Sequence, residues 1–220
     1  MKTVIINASP RKDGATARVL NEFAGQLTCE SMDITMFHLS DMKMDFCKGC
    51  CSCYKTGQCF INDGAEALSQ AIAKADGLII GTPCYASGIS GQLKTFIDRG
   101  HFVMEQLLRG KHAVGIVTYE NAGGSSAYKT LQSLFTFSGA KTVGKLIVKT
   151  PFDSDPVKHN QAKIKKKAAK LHHAMEHNKS SLLCSVTNFF VLRFGLKPFV
   201  LKKGPAYQGV LEHWQKRGVQ

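Results

Sequence analysis

Residues 3–16 read TVIINASPRKDGAT, and the architecture follows from them. Thr3–Ala8 is a short apolar run of the kind that a buried strand uses. Ser9 to Thr16 is a polar loop containing Gly14, and Val19, Leu20, Phe23 and Leu27 then recur at helical spacing. A strand, a glycine-containing loop and a helix in this order aim the free N–H groups of a helix N-terminus at an anion. Ser9 and Thr16 add hydroxyls, and Arg11 adds a guanidinium. The loop lacks the G-x4-G-K-[ST] of a Walker loop and the G-x-G-x-x-G of a dinucleotide turn. An ordinary turn with Thr16 as a cap is the plainer alternative.

Outward from this stretch the pattern repeats. Met32–Leu39 reads as a second strand. Asp63 caps a helix predicted to run to Ala75, with Leu68 and Ile72 inward. Gly77–Thr82 is continuously apolar, as central parallel strands are. It opens into the loop Pro83-Cys84-Tyr85-Ala86-Ser87-Gly88. A helix from Gly91 to Leu108 carries Leu93, Phe96, Ile97, Met104 and Leu107 on its core face. Ala113–Tyr119 is strand four, Glu120–Ser126 (ENAGGSS) a glycine-rich loop, and Val143–Lys149 strand five after a helix marked by Leu131, Leu134 and Phe135. Five strands alternating with four helices predict an α/β fold, a parallel sheet with helices on both faces. Ligands in such sheets sit beyond the carboxyl ends of the strands. The loops after strands one, three and four fall there. One offers phosphate donors, one an aromatic and small residues, one glycines that let backbone approach a flat ring. They suit a mononucleotide with a planar head group, flavin mononucleotide (FMN) more than a dinucleotide.

Between strands two and three lies CKGCCSCYKTGQC, Cys47 to Cys59, with five of the eight cysteines. Cys47, Cys50, Cys53 and Cys59 read as C-x2-C-x2-C-x5-C, with Cys51 as an extra. By count, four thiolates suit one zinc ion or one iron–sulfur cluster. The compact run is more typical of a cluster, because zinc sites usually split into two separate C-x2-C pairs. Free or disulfide-forming thiols in a loop are the bland alternative. No signal-like opening precedes the first strand and no apolar run reaches the length of a membrane span, about 18 residues. The expected setting is therefore the cytoplasm, where dense cysteines serve metal or redox chemistry.

The net charge of +13 is concentrated late in the chain: residues 1–140 carry 13 basic and 12 acidic side chains, residues 141–220 carry 16 and 4. Nucleic acid, anionic lipid or a phosphorylated nicotinamide would be attracted, and a solvated helix face needs no partner at all. Ser154 or Asp155 is expected to cap a helix with Pro156 in its first turn. Val157, Ile164, Ala168, Leu171 and Met175 form its narrow apolar stripe, and lysines cover the rest. We expect it to close a face of the sheet. His173 and His177 stand at metal-compatible helical spacing, with no carboxylate or cysteine pattern to complete a site. Leu182–Leu201 is apolar and aromatic but broken by Asn188, Arg193, Gly195 and Pro198. The break argues against a span and for a cover: a dimer partner, or a substrate pocket roofed over the flavin by Phe189, Phe190, Phe194 and Phe199. Trp214 is expected to dock the tail.

The segments NASPRKDGATARVL, CKGCCSCYKTGQCFINDG and GTPCYASGISGQLKTFIDR, in this order, resemble the flavodoxin-like NADPH-dependent FMN reductases, in particular their iron–sulfur flavoprotein branch. The likeness spans residues 1–150, and the closing YQGVLEHWQKRG is similar to tails in that branch. It implies a flavodoxin-like domain over 1–150, with 151–220 a basic helix and apolar tail packed on the domain or on a dimer partner. It implies FMN whose phosphate is held by Ser9, Arg11, Gly14, Ala15 and Thr16. Pro83, Cys84, Tyr85, Ala86, Ser87 and Gly88 would lie beside the ring, and Thr118, Asn121, Gly123 and Gly124 at its other edge. Cys47, Cys50, Cys53 and Cys59 would carry a four-iron [4Fe-4S] cluster. Cys84 and Ala86 stand where bulkier residues are frequent. The activity implied is an oxidoreductase passing electrons from NAD(P)H through FMN to a quinone, a flavin, a nitro or azo compound, or the cluster. Hydride transfer needs no side-chain acid or base, so no catalytic residue is expected. The rival functions are an electron carrier reduced by ferredoxin and a redox-responsive regulator. Nucleic acid is the least favoured partner, since the basic residues lack interleaved aromatics.

Overall fold

The computed structural model describes residues 1–27, 32–152 and 154–219. Five strands, β1 (Lys2–Asn7), β2 (Asp33–His38), β3 (Gly77–Pro83), β4 (His112–Tyr119) and β5 (Lys141–Lys149), pair in parallel in the order β2-β1-β3-β4-β5. This is the flavodoxin-like order, with its reversal between β1 and β3. Side chains alternate across the pleat. Val4, Ile6, Leu78 and Ile80 face one core, shared with α3 (Gly64–Ala73), α4 (Gly91–Arg99) and α5 (Gly124–Phe137). Ile5, Ile79, Val114 and Ile116 face the other, closed by α1 (Ala15–Leu27) and α6 (Gln161–Glu176). Ile164, Ala168 and Leu171 of α6 are fully buried there, so its apolar stripe does cover the sheet. Asp63 caps α3 by accepting from the Ala65 N–H at 3.0 Å.

Three elements depart from the sequence expectation. The helix from Gly91 ends at Arg99 and does not reach Leu108. A Cβ at Gly100 would overlap the Phe102 ring, and His101 and Gln106 adopt positive φ, 56° and 53°, so the chain turns repeatedly through residues 101–110. The apolar residues that mimicked a longer helix are buried even so, Phe102, Leu107 and Leu108 at the foot of the core. Asp155 accepts from the Val157 and Lys158 N–H groups and so caps a turn; α6 begins later, after Asn160.

The third departure is the tail. Leu182–Lys216 is one continuous helical stretch: α7 (Leu182–Phe190), a π-helical turn Val191–Leu196, α8 (Lys197–Lys203), a 3-10 turn Gly204–Tyr207 and α9 (Gln208–Lys216). Pro198 sits in the first turn of α8, directly after the wide π turn that contains Gly195. By length and composition this stretch is long and apolar enough to cross a membrane, which the broken sequence pattern had argued against. It does not roof the strand ends: Asn188 Nδ2 donates to the Ala140 carbonyl at 2.8 Å, at the amino end of β5. Leu192, Val200, Val210 and Trp214 form a small third core.

Candidate functional site: a nucleotide rim and a cysteine cavity

The carboxyl ends of β1, β3 and β4 gather the predicted rim. Ser9 and Thr16 are buried and Arg11 is exposed. The Asn7 carboxamide accepts from the Ser9 N–H (3.0 Å), and the Ser9 hydroxyl accepts from the Arg11 N–H (3.1 Å), which curls the loop back on itself. Gly14 and Ala15 then open the 13-residue α1, whose first-turn N–H groups have no intrahelical partner. Thr16 Oγ1 lies 2.6 Å from Thr118 Oγ1, so the β1 loop is tied to the end of β4. Ser90, the N-cap of α4, donates its hydroxyl to the Ala8 carbonyl at 2.7 Å and ties β1 to the β3 loop.

The loops after β3 and β4 also meet. Tyr85 and Gly88 exchange backbone hydrogen bonds of 3.0 and 2.8 Å around Ala86 and Ser87, both at positive φ (47° and 61°). Holding two non-glycine residues there stores strain of order 1–3 kcal/mol each, a cost that recurs at ligand-clamping turns. Gly123, at φ 85°, abuts this turn: a Cβ on it would lie 2.7 Å from Ser87 Oγ and 3.0 Å from Cys84 Sγ. Pro83 and Gly124 are buried beneath, while Tyr85, half exposed, and Asn121 face outward. The missing side chain at Gly123 lets the loop after β4 close directly against Ser87 and Cys84 of the loop after β3.

The cysteine loop is elsewhere. α4 starts at the rim and runs down the sheet, so its last residue, Arg99, lies about 13 Å below Ser90 at 1.5 Å per residue. Arg99 braces the loop there. Its side chain is 1% exposed, pairs with Asp63, and donates to the carbonyls of Asp45 (3.0 Å) and Ile61 (2.9 Å) and to Cys59 Sγ (3.6 Å). Burial works against the guanidinium charge, but the Asp63 and Cys59 bonds outweigh it and raise its pKa. Burial likewise opposes the Asp63 charge, and Arg99 with two backbone N–H donors holds its carboxyl below the usual value.

Cys47, Cys50, Cys53 and Cys59 line one cavity of about 320 Å³ together with Arg99, His101 and Glu105. Four thiolates around one cavity are a donor set that fits a soft metal ion or an iron–sulfur cluster. Burial, then the neighbouring Cys59 and Glu105, push the Cys53 thiol up to about 11, so any metal must displace its proton.

Sequence reasoning missed what holds this cavity together, the tail. Tyr207 stacks on Tyr54 at 4.8 Å. Gly209 of α9 packs directly on the backbone of Gly57, where a Cβ would overlap the Gly57 nitrogen. His213 Nε2 is 2.8 Å from the Gly57 carbonyl, and Trp214 Nε1 donates to the Met104 carbonyl at 2.6 Å. Arg217 and His101 both engage Glu105, which is 3% exposed. Trp214 docks the tail as expected, and the resemblance of YQGVLEHWQKRG to a family tail was the other signal; which residues the tail meets, 150 positions away, is invisible in sequence. His173, Glu176 and His177 also converge, exposed, with ligand atoms within 4.8 Å, so a carboxylate does accompany the histidine pair. Lys179 Nζ sits 3.2 Å from His173 Nε2.

The strand order defines a flavodoxin-like protein. Residues 1–155 match the family model for NADPH-dependent FMN reductases. The chain belongs to that family, is an oxidoreductase, and falls in its iron–sulfur flavoprotein branch. An iron–sulfur flavoprotein of Clostridioides difficile is 36% identical over 224 residues, covering all of both chains. One from Archaeoglobus fulgidus is 33% identical over 127 residues, 56% of each. Among solved structures, the NAD(P)H:quinone oxidoreductase of Methanothermobacter marburgensis superposes with a TM-score of 0.63 at 18% identity, covering 79% of this chain and 98% of that one. An azoreductase from Bacillus anthracis gives 0.57 at 14%, covering 81% and 98%. At these identities both show the fold alone.

Proposed function

We propose that this protein binds FMN at the rim, takes hydride from NAD(P)H, and passes electrons to a quinone, flavin, nitro or azo acceptor or to an iron–sulfur cluster in the cysteine cavity. The observation that carries the reading is the convergence of three loops at the sheet's switch point, locked by Thr16–Thr118 and by Gly123 against Ser87. Bound FMN supplies the exchange between two-electron and one-electron chemistry. The chain's part is to hold and orient. Ser9, Arg11, Gly14, Ala15 and Thr16 take the phosphate, with α1 adding its free N–H groups. Pro83 to Gly88 on one side, and Thr118, Asn121, Gly123 and Gly124 on the other, would flank the ring. Cys47, Cys50, Cys53 and Cys59 take the cluster, and Arg99 offsets its negative charge. The cytoplasm suits this chemistry, because thiolates awaiting iron must stay reduced.

The test is an absorption spectrum of anaerobically purified protein with flavin, iron and sulfide assays, followed by steady-state NADPH and NADH oxidation with menadione. Released FMN and turnover are expected. Protein that releases no flavin and binds none when it is added would overturn the reading. Rapid reduction by ferredoxin with no nicotinamide oxidation would favour the carrier. Iron absent but flavin present removes the cluster alone.

A further inference from the structure

The helical stretch from Leu182 to Lys203 has one face docked and one face bare. Leu192 and Val200 are buried in the third core, and Asn188 and Cys184 reach the Ala140 carbonyl. Opposite them, Leu182, Leu183, Val186, Phe189, Phe190 and Phe194 recur at helical spacing in the open, Leu182 81% and Phe194 67% exposed. The three phenylalanines form a contiguous ring cluster: Phe190 stacks on Phe194 at 5.4 Å and Phe189 meets Phe190 edge-on at 5.7 Å. An apolar patch of this kind marks a binding surface.

Charge says what binds. From His177 to Leu211 the sequence has no Asp or Glu, and it carries Lys179, Arg193, Lys197, Lys202 and Lys203. A two-fold pair of copies would set this positive segment against itself, with no carboxylate in either copy's segment to answer it. An anionic lipid surface supplies both the apolar layer and the opposite charge. Because one face is committed to the protein body, the helix suits lying in the interface rather than spanning it.

We propose that the exposed face of the Leu182–Lys203 helix seats this protein on an anionic bilayer surface, with its phenylalanine cluster in the acyl boundary and its lysines and Arg193 at the headgroups. The proposal rests on the tail and stands apart from the flavin reading. The test is co-sedimentation of the full chain with vesicles of phosphatidylglycerol and phosphatidylcholine in equal parts, and of phosphatidylcholine alone, at low and high salt. Pelleting with the mixed vesicles, weakened by salt as screening requires, is expected. The double variant Phe190→Glu, Phe194→Glu should lose at least tenfold in partitioning with an unchanged circular dichroism spectrum. If it fails to fold, the charge variant Arg193→Glu, Lys202→Glu, Lys203→Glu should show the same loss. Absence of pelleting with mixed vesicles, or equal pelleting with phosphatidylcholine alone, overturns the proposal. So does a dimer in light scattering that the double variant dissolves, which would assign this face to a second copy.

Discussion

The rim and the cysteine cavity are built on opposite principles. The rim is assembled from loops that leave the ends of central strands, and its parts are tied by short buried contacts such as Thr16–Thr118 and Ser90–Ala8. The cavity is bounded by an exposed loop with one short helix of its own, α2 (Ser52–Thr56), and is held from outside by Arg99 and α9. A site on strand ends inherits rigidity from the sheet. A site on an excursion must borrow it from distant chain.

If the two regions are independent, substitutions should damage one and spare the other. The largest effect is expected from Gly209→Ala, whose Cβ cannot fit over Gly57. Overpacking there should cost about 3 kcal/mol in urea unfolding and strip iron, with flavin affinity within twofold. Equal loss of flavin would join the regions. Asp63→Asn should cost a similar amount, about 3 kcal/mol, by leaving the buried Arg99 uncompensated. Because the folded Asp63 carboxyl is depressed, its contribution is full above the ordinary carboxylate range and lost as pH falls through the folded value. The variant's stability should therefore fall less steeply on the acid side than the parent's.

Gly123→Ala probes the other region. The added methyl presses on Ser87 and Cys84 at a φ that alanine resists, so flavin affinity should drop about tenfold, about 1.4 kcal/mol, while iron content holds. His213→Ala removes one bond to the Gly57 carbonyl and should cost about 1 kcal/mol, read as faster loss of any bound iron to a chelator. The smallest effect is one of order. In metal-free protein at neutral pH, alkylation followed by mass spectrometry should modify Cys53 after the exposed Cys47 and Cys50, since its thiol holds its proton to about pH 11.

What the sequence determined by itself was the local and the periodic. The apolar runs of β1, β3 and β4, the α3 cap at Asp63, and the loops at Ser9–Thr16, Pro83–Gly88 and Gly123–Gly124 were readable because each is decided by neighbours a few residues away. Alternation gave the parallel sheet with helices on both faces, and the strand order β2-β1-β3-β4-β5 came from the structure. Only the tertiary structure decided where the cysteine loop sits, that α4 stops at Arg99, and that the tail stays helical through Gly195 and Pro198. Those outcomes depend on contacts such as Arg99 with Ile61 and Gly209 with Gly57, between side chains and backbone far apart in the chain. Periodicity carries no record of them, because it reports which residues are apolar and not which surface meets them.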